Sequence, residues 1–232
     1  FPTRVDYATG SYPRSVTAAD LDKDGDIDLA VANQSSDTVS VFINNGNGTF
    51  ATKIDYATGG NPYQVTAADL NKDGGNDLVV AHGAFAYFSV LLNNTLAVSS
   101  VSNPTLKIYS GGVNDAIRVQ GDNDKNILRV DGQGNTTIGG TAGVGLGLFS
   151  PKTDYTTGTN PTSVTAADFN KDGDIDMAVT NNNSSSVSVF LNTGTGTFAA
   201  KVDYTTGSSP HIVTTADFDK DGDIDMAVAN FG

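Results

Sequence analysis

Short apolar segments alternate with turn-forming residues along the chain. In residues 38–44, TVSVFIN, apolar side chains recur at Val39, Val41 and Ile43. This period of two is the mark of a β-strand with one buried face. Clusters of Gly, Asn and Asp separate such segments and indicate tight turns. The pattern predicts an almost wholly β chain.

The strand pattern repeats. FPTRVDYATG at Phe1 returns in near-identical form at Phe50, Phe149 and Phe198, at steps of 49, 99 and 49 residues. One unit contains about four strands, which read roughly RSVTAAD, IDLAVAN, TVSVFIN and TRVDYAT. A repeated four-stranded unit of this length is typical of a β-propeller blade, whose faces neighbouring blades must cover. A β-solenoid or a linear array of small sandwiches is the alternative.

The spacing divides the chain into three parts. Repeats 1 and 2 occupy residues 1–94, and repeats 3 and 4 occupy residues 149–232. Residues 95–148 lack the aspartates and the DYATG block, so they are an inserted β module or a degenerate blade, and we favour an insertion. The last unit has no third strand, so we expect the chain to be part of a longer array or to be completed by another chain.

The composition and charge of the chain limit the classes of partner that it can bind. The formal net charge is −13, all 26 acidic residues are Asp, and the chain contains no Cys and no Trp. An acidic chain disfavours nucleic acid and anionic membranes as partners. No 18-residue apolar stretch exists to span a membrane. Without disulfides, stability must have another source.

The aspartates concentrate in four loops of the form D-x-D-x-D-G-x-x-D, which hold 17 of the 26. Positions 1, 3 and 5 place carboxylates on one side of a tight loop, and Gly at position 6 permits the turn. Position 7 offers a backbone carbonyl, and position 9 adds a carboxylate. Hard oxygen ligands in a flexible loop suit Ca²⁺. The alternative is a solvated acidic turn.

An EF-hand begins in the same way but needs a bidentate Glu at position 12 and a helix on each side. Position 12 here is Val31, Val80, Val179 or Val228, and the flanking segments read as strands. The second copy has Gly75 at position 7 and only three aspartates, so we expect it to be the weakest site. Up to four Ca²⁺ ions, one per repeat, are predicted.

The predicted metal ligands comprise positions 1, 3, 5, 7 and 9 of each loop. They are Asp20, Asp22, Asp24, Asp26 and Asp28; Asp69, Asn71, Asp73, Gly75 and Asp77; Asp168, Asn170, Asp172, Asp174 and Asp176; and Asp217, Asp219, Asp221, Asp223 and Asp225.

These blocks, DLDKDGDIDLAVAN followed by TVSVFINNGNGTF, resemble the FG-GAP/VCBS repeat of integrin α-subunit-type β-propellers and of bacterial surface proteins. The resemblance covers the chain except its middle segment. It implies four-stranded blades, Ca²⁺ in the loop between the first two strands, and an extracellular or cell-surface location. Propellers of that family commonly have seven blades, whereas four units are recognisable here.

We therefore expect a non-enzymatic, calcium-stabilised binding or adhesion module whose ligand is a protein or a glycan. One alternative is a subunit of an extracellular polymer, completed by strand exchange between copies; another is a glycan-binding or glycan-active propeller. His82 and His211 are interpreted as packing or surface residues. His211 occupies a variable position, where we align Arg14, Gln64 and Thr162 from the other repeats.

Overall fold

A computed structural model of the chain describes residues 4–94, 115–120, 126–131, 136–138 and 148–232. The chain divides into two compact units. One comprises Phe1–Ala97 and Leu148–Gly232, and the other comprises Val98–Gly147. The first unit contains the blades and the aspartate loops.

The first blade is an antiparallel sheet of four strands in chain order. They are β1 (Pro13–Ala19), β2 (Asp28–Asn33), β3 (Thr38–Phe42) and β4 (Ile54–Ala57). The fourth strand comes from the DYATG block, which opens the next sequence repeat. The third blade has the same order, with β12 (Pro161–Ala167), β13 (Asp176–Asn181), β14 (Ser186–Phe190) and β15 (Val202–Thr205). A short 3₁₀ turn, Asn182–Ser184, lies between β13 and β14.

The second blade takes its fourth strand from beyond the middle segment. Its strands are β5 (Pro62–Ala68), β6 (Asp77–His82), β7 (Tyr87–Leu91) and β11 (Thr153–Thr156). The sheet order is β5-β6-β7-β11, with β7 and β11 antiparallel. The middle segment therefore lies within the connection between the third and fourth strands of this blade.

The interruption occurs at the tip of a turn that the other blades make with three residues. In the first blade, the N–H of Asn45 donates to the carbonyl of Thr49 (2.8 Å). In the second, the N–H of Asn94 donates to the carbonyl of Leu148 (2.6 Å). Residues 95–147 thus stand where the first blade has residues 46–48.

The second unit contributes a sheet of its own. Strands β8 (Asp115–Gln120), β9 (Asn126–Asp131) and β10 (Thr136–Ile138) pair antiparallel in the order β10-β9-β8. The last two strands of the chain, β16 (Pro210–Ala216) and β17 (Asp225–Asn230), form a two-stranded sheet that matches the first half of a blade.

The hydrophobic core lies between successive blades. Val39 and Val41 of the first blade pack with Val65, Leu78 and Val80 of the second in one buried cluster. A second cluster joins the second blade to the third. Neither face of a blade could be buried by that blade alone, so each repeat depends on its neighbours.

The recurring Tyr and Phe residues seal the same interfaces. Edge-to-face pairs join Tyr56 to Phe149 and Tyr155 to Phe198, each with ring centroids 5.2 Å apart. The predicted all-β, blade-based architecture is confirmed.

Candidate metal centre

The four aspartate loops connect the first and second strands of the blades. We number their residues 1 to 9; loops 1 to 4 span residues 20–28, 69–77, 168–176 and 217–225. In each blade the first strand ends at the Ala before position 1 and the second begins at position 9. The common strand geometry places all four loops at the same end of their blades.

The turn in each loop is fixed by Gly at position 6 and by the carboxylate at position 1. Gly25 has a φ of +92° and Gly173 a φ of +86°, in the left-handed region that favours glycine. The N–H of Gly25 donates to Oδ2 of Asp20 (3.0 Å), and that of Gly173 donates to Oδ2 of Asp168 (2.9 Å). The position-1 carboxylate is therefore held with its other oxygen, Oδ1, directed into the loop.

Position 9 has a structural role that the sequence pattern did not reveal. Asp176 is buried, and its two oxygens accept the N–H groups of Phe169 (2.9 Å) and Asn192 (2.8 Å). Asp28 and Asp77 make the same pair of bonds in their blades. Burial raises the pKa of Asp77 to about 6, although both backbone N–H groups act in the opposite direction.

The Asn after the third strand completes this anchor and links neighbouring blades. Nδ2 of Asn192 donates to the carbonyl of Ile175 (2.9 Å) beside its own loop and to that of Leu70 (2.8 Å) in the preceding blade's loop. Asn93 makes the same contacts with Asn76 and Leu21. The recurring Asn after each third strand was the available sequence signal.

Carboxylates converge most closely in loops 1 and 4. Ligand oxygens of Asp20, Asp22 and Asp28 all lie within 4.8 Å of one another, and so do those of Asp217, Asp219 and Asp221. Desolvation, with the negative charges of Asp28 and Asp24, raises the pKa of Asp22 to about 6. Crowding of this kind disfavours the charged forms of the carboxylates, and a bound cation would favour them.

Loops 3 and 4 each present an unpartnered oxygen. Oδ1 of Asp168 and Oδ1 of Asp217 are buried and accept no hydrogen bond. Both are position-1 atoms, and the opposite oxygen of each carboxylate is already held by the position-6 N–H. An orphaned buried carboxylate oxygen is costly and calls for a partner.

In loops 2 and 3, position 3 is an asparagine whose amide binds the position-5 carboxylate. Nδ2 of Asn71 donates to Asp73 Oδ2 (3.1 Å), and Nδ2 of Asn170 donates to Asp172 Oδ2 (2.8 Å). Within the residues that the structure describes, neither loop gathers three carboxylates as loops 1 and 4 do.

Position 7 holds a side chain that faces the preceding blade. Lys72 of loop 2 pairs with Asp174 of loop 3, and Lys171 of loop 3 pairs with Asp223 of loop 4. The position-7 carboxylates of loops 3 and 4 thus serve an ion pair between blades, which leaves the backbone carbonyl as the predicted ligand there.

Loop 2 has Gly75 at position 7, and the preceding lysine takes the vacated space. A Cβ on Gly75 would lie 2.6 Å from Cε of Lys23. Nζ of Lys23 donates to both Oδ1 and the carbonyl of Asp73 (3.2 Å each). Loop 2 therefore already holds a cationic group beside its position-5 carboxylate.

A family model for the FG-GAP-like repeat matches residues 20–80 and 168–228, which are more than half of the chain and include all four loops. The chain belongs to the FG-GAP-like repeat family. The expected resemblance is thereby confirmed. FG-GAP repeats commonly bind Ca²⁺.

Solved structures with a similar chain trace share little sequence with these FG-GAP repeats. The crystal structure of BBS1N in complex with ARL6DN, soaked with mercury, is 10% identical with a TM-score of 0.39, over 93% of this chain and 61% of that one. That of the V. cholerae biofilm matrix protein Bap1 is 12% identical with a TM-score of 0.35, over 91% and 58%. The chain spans less than two thirds of the length of these structures. No curated protein sequence matches it.

The donor set of the FG-GAP loops fits a hard cation. Every predicted side-chain ligand is a carboxylate or an amide oxygen, and no Cys or His lies among them. Oxygen ligands of this kind suit Ca²⁺ better than the metals that prefer nitrogen or sulfur. The convergent carboxylates and the two orphaned oxygens agree with that chemistry.

Proposed function

We propose that this chain is a calcium-stabilised part of an extracellular β-propeller that binds a ligand and catalyses no reaction. The proposal depends on one observation above all. Among the described residues, the position-1 carboxylates in loops 3 and 4 each keep a buried oxygen without a hydrogen-bond partner.

The residues at positions 1, 3 and 5 would hold Ca²⁺ through side-chain oxygens, and position 7 would add its carbonyl. Bound Ca²⁺ supplies positive charge that offsets the repulsion between these carboxylates. In loops 1 to 3 the position-9 aspartate acts differently, because both of its oxygens already accept backbone N–H groups. Its task is to hold the loop in shape.

The chain has no Cys and therefore no disulfides, and bound metal would supply stability in their place. At a tenfold excess of Ca²⁺ over Kd, one site adds about 1.4 kcal/mol. Four such sites would contribute about 6 kcal/mol, comparable with the net stability of a whole domain. Extracellular modules bind Ca²⁺ with a Kd of about 10⁻⁴ to 10⁻³ M, and we expect the same range here if the chain acts outside the cell.

The binding role rests on the family and on the chemistry of the loops. The concentrated aspartates are accounted for by metal ligation and by anchoring the loops, so they need no catalytic role. Among the described residues no helix is long and apolar enough to cross a membrane. A protein or glycan is the expected ligand class.

Calorimetric titration of the metal-stripped protein with Ca²⁺ tests the proposal, with melting measured before and after and with mass followed by light scattering. We expect three or four sites, a large rise in Tm and an unchanged mass. The proposal would be contradicted if no binding occurred at about 1 mM Ca²⁺, or if a chelator left the Tm unchanged. Growth into large species would instead favour the polymer.

A further inference from the structure

Aromatic side chains surround one arginine at the end of the blades opposite the aspartate loops. The residue after the first-strand proline differs in every repeat. The strand register aligns Pro13, Pro62, Pro161 and Pro210 with one another. The counterparts of His211 are therefore Arg14, Tyr63 and Thr162, and the sequence-based alignment with Gln64 was wrong.

Three of these variable residues meet in space. The Arg14 guanidinium lies 4.4 Å from the Tyr63 ring centroid and 5.5 Å from that of Tyr12. The Tyr63 ring packs edge-on against His211, with centroids 6.0 Å apart. We call Tyr12, Arg14, Tyr63 and His211 the arginine–aromatic face. In a chain of near-identical repeats, the positions that differ have come together.

Arg14 lacks the carboxylate partner that most basic groups have here. Its Nε donates to Oε1 of Gln34 (2.8 Å), and its remaining contacts are with the tyrosine rings. Within residues 4–94 and 148–232, every other Lys and Arg side chain apart from Lys220 pairs with an aspartate. A guanidinium held against aromatic rings can still offer its outer N–H groups to an anion.

Tyr12 has a backbone conformation that a bulky residue seldom adopts. Its φ is +60°, and the matching residues Asn61, Asn160 and Ser209 have φ values of 61°, 57° and 54°. Asn tolerates this left-handed region, whereas a bulky side chain there is an outlier. The Tyr12 side chain is 63% exposed, so burial does not offset the strain. Strain kept at an exposed position points to function.

Phe85 extends the same surface. In the first and third blades the matching residues, Ser36 and Ser184, accept the N–H of Ser11 (2.6 Å) and of Thr159 (2.8 Å). Phe85 gives up that bond, covers Gly60 and remains 46% exposed. At this position the second blade thus has an exposed aromatic residue where the first and third blades have a hydrogen-bonding serine.

We propose that the arginine–aromatic face binds an acidic polysaccharide, with Arg14 on a sugar carboxylate and the exposed Tyr12 ring under a neighbouring sugar, while Tyr63 holds the guanidinium in place. The apolar side of a pyranose ring can bury area against an exposed aromatic ring. Gln34 and Asn61, joined through Nε2 and Oδ1 of their amides, lie beside Arg14 to meet hydroxyl groups. This inference rests on the proposed function, because it names the ligand of that binding module. The net charge of −13 disfavours polyanions in general, but the aspartate loops lie at the opposite end of the blades, and salt at about 0.1 M screens exposed charges beyond about 10 Å.

An acidic peptide suits this face less well. The groups gathered at this end of the blades are an arginine, aromatic rings and amide side chains. An extended peptide commonly adds to an open sheet edge and gains main-chain hydrogen bonds there. The exposed rings and amides favour the sugar.

The test is calorimetric titration of the calcium-loaded protein with trigalacturonate, with neutral maltotriose for comparison. We expect trigalacturonate to bind at least about tenfold more tightly than maltotriose. Arg14→Gln and Tyr12→Asn should each weaken trigalacturonate binding about tenfold. Tyr12→Asn should also raise Tm, because Asn relieves the left-handed strain, so its loss of binding cannot come from misfolding.

Arg4→Gln is the matched control, because it removes the same charge from an exposed residue paired with Asp6, and it should bind as the parent does. Equal binding of both sugars, no binding at about 10 mM trigalacturonate, or tighter binding of a hexa-aspartate peptide would overturn the inference. If calcium still raises Tm in that case, the proposed function stands; loss of the calcium effect would instead contradict the proposed function.

Discussion

A buried imidazole stands where the other blades have an asparagine amide. His82 aligns with Asn33 and Asn181; its Nδ1 lies 2.8 Å from the carbonyl oxygen of Gly60 and its Nε2 lies 2.9 Å from Ser89 Oγ. Burial lowers the pKa of His82 to about 4, against weaker opposite effects of Gly60 and Asp154. The folded protein therefore resists a proton that the unfolded chain accepts below about pH 6.5.

This pKa predicts the pH dependence of stability. Between pH 6.5 and pH 4 the unfolded state binds more protons at His82, so this residue should lower the free energy of unfolding by about 3 kcal/mol as the pH is lowered. Asp22 and Asp77, whose pKa values are raised to about 6, act in the opposite direction below that pH. His82→Asn removes the imidazole and restores the residue of the other blades, so urea unfolding at fixed Ca²⁺ should show the parent losing about 3 kcal/mol relative to the variant across this range. Parallel curves for the two proteins would contradict the assignment.

The aspartates of the loops should separate into metal ligands and structural anchors. Asp176→Asn leaves an amide facing one of two backbone N–H donors, so we expect a loss of about 1–3 kcal/mol whether or not Ca²⁺ is present. Asp219→Asn introduces at position 3 the residue that loops 2 and 3 already have. It should preserve the stability of the metal-free protein and reduce the gain from Ca²⁺. Chemical denaturation of both variants with Ca²⁺ and with chelator distinguishes the roles; identical behaviour would refute the division.

Between elements, the lysine of one loop acts on the next. Nζ of Lys23 bonds to Asp73, and with its neighbours it holds the pKa of that carboxyl below its usual range despite burial. Lys23→Gln removes a positive charge next to loop 2. We expect the weakest calcium site to strengthen about tenfold, because a nearby positive charge opposes the binding of a cation.

Lys53→Gln is the control for that change, because Lys53 pairs with Asp55 away from the loops. Calorimetry should show a stronger weakest site only for Lys23→Gln. An unchanged affinity in both variants would mean that Lys23 does not oppose metal binding in loop 2.

At the scale of the elements, the sequence predicted the strands and loops within each repeat but not the contacts between neighbouring blades. The TVSVFIN alternation gave the third strands, and the aspartate spacing gave loops between strands. The bond from Asn192 to Leu70 spans two blades, and the contact between Lys23 and Asp73 joins two loops. Such contacts follow from the packing of blades, which periodicity within one repeat does not report. The bulge between Pro62 and Gln64 marks the position where the alignment of Tyr63 was missed.

At the scale of the whole molecule, the pairing of β7 with β11 completes the second blade with a strand that follows the middle segment in sequence. The blades and the middle segment form separate compact units, and the segment enters and leaves between Asn94 and Leu148. Their backbone bond matches that between Asn45 and Thr49, which three residues, Gly46, Asn47 and Gly48, connect in the first blade. The second blade can therefore be closed in the same way.

We predict that replacing residues 95–147 with Gly-Asn-Gly leaves the blades intact. Leu148 stays in place because its N–H donates to Tyr56 Oη (2.8 Å) and its side chain packs against the core between the first two blades. The shortened chain should bind as many Ca²⁺ ions as the parent, with a Tm within a few degrees, as surface-loop changes are tolerated. A control that deletes Leu148 as well should melt lower. We expect the fold to survive because the first blade already makes the equivalent connection with three residues. Loss of calcium sites in the first variant would contradict this expectation and would show that the blades need the middle segment to fold.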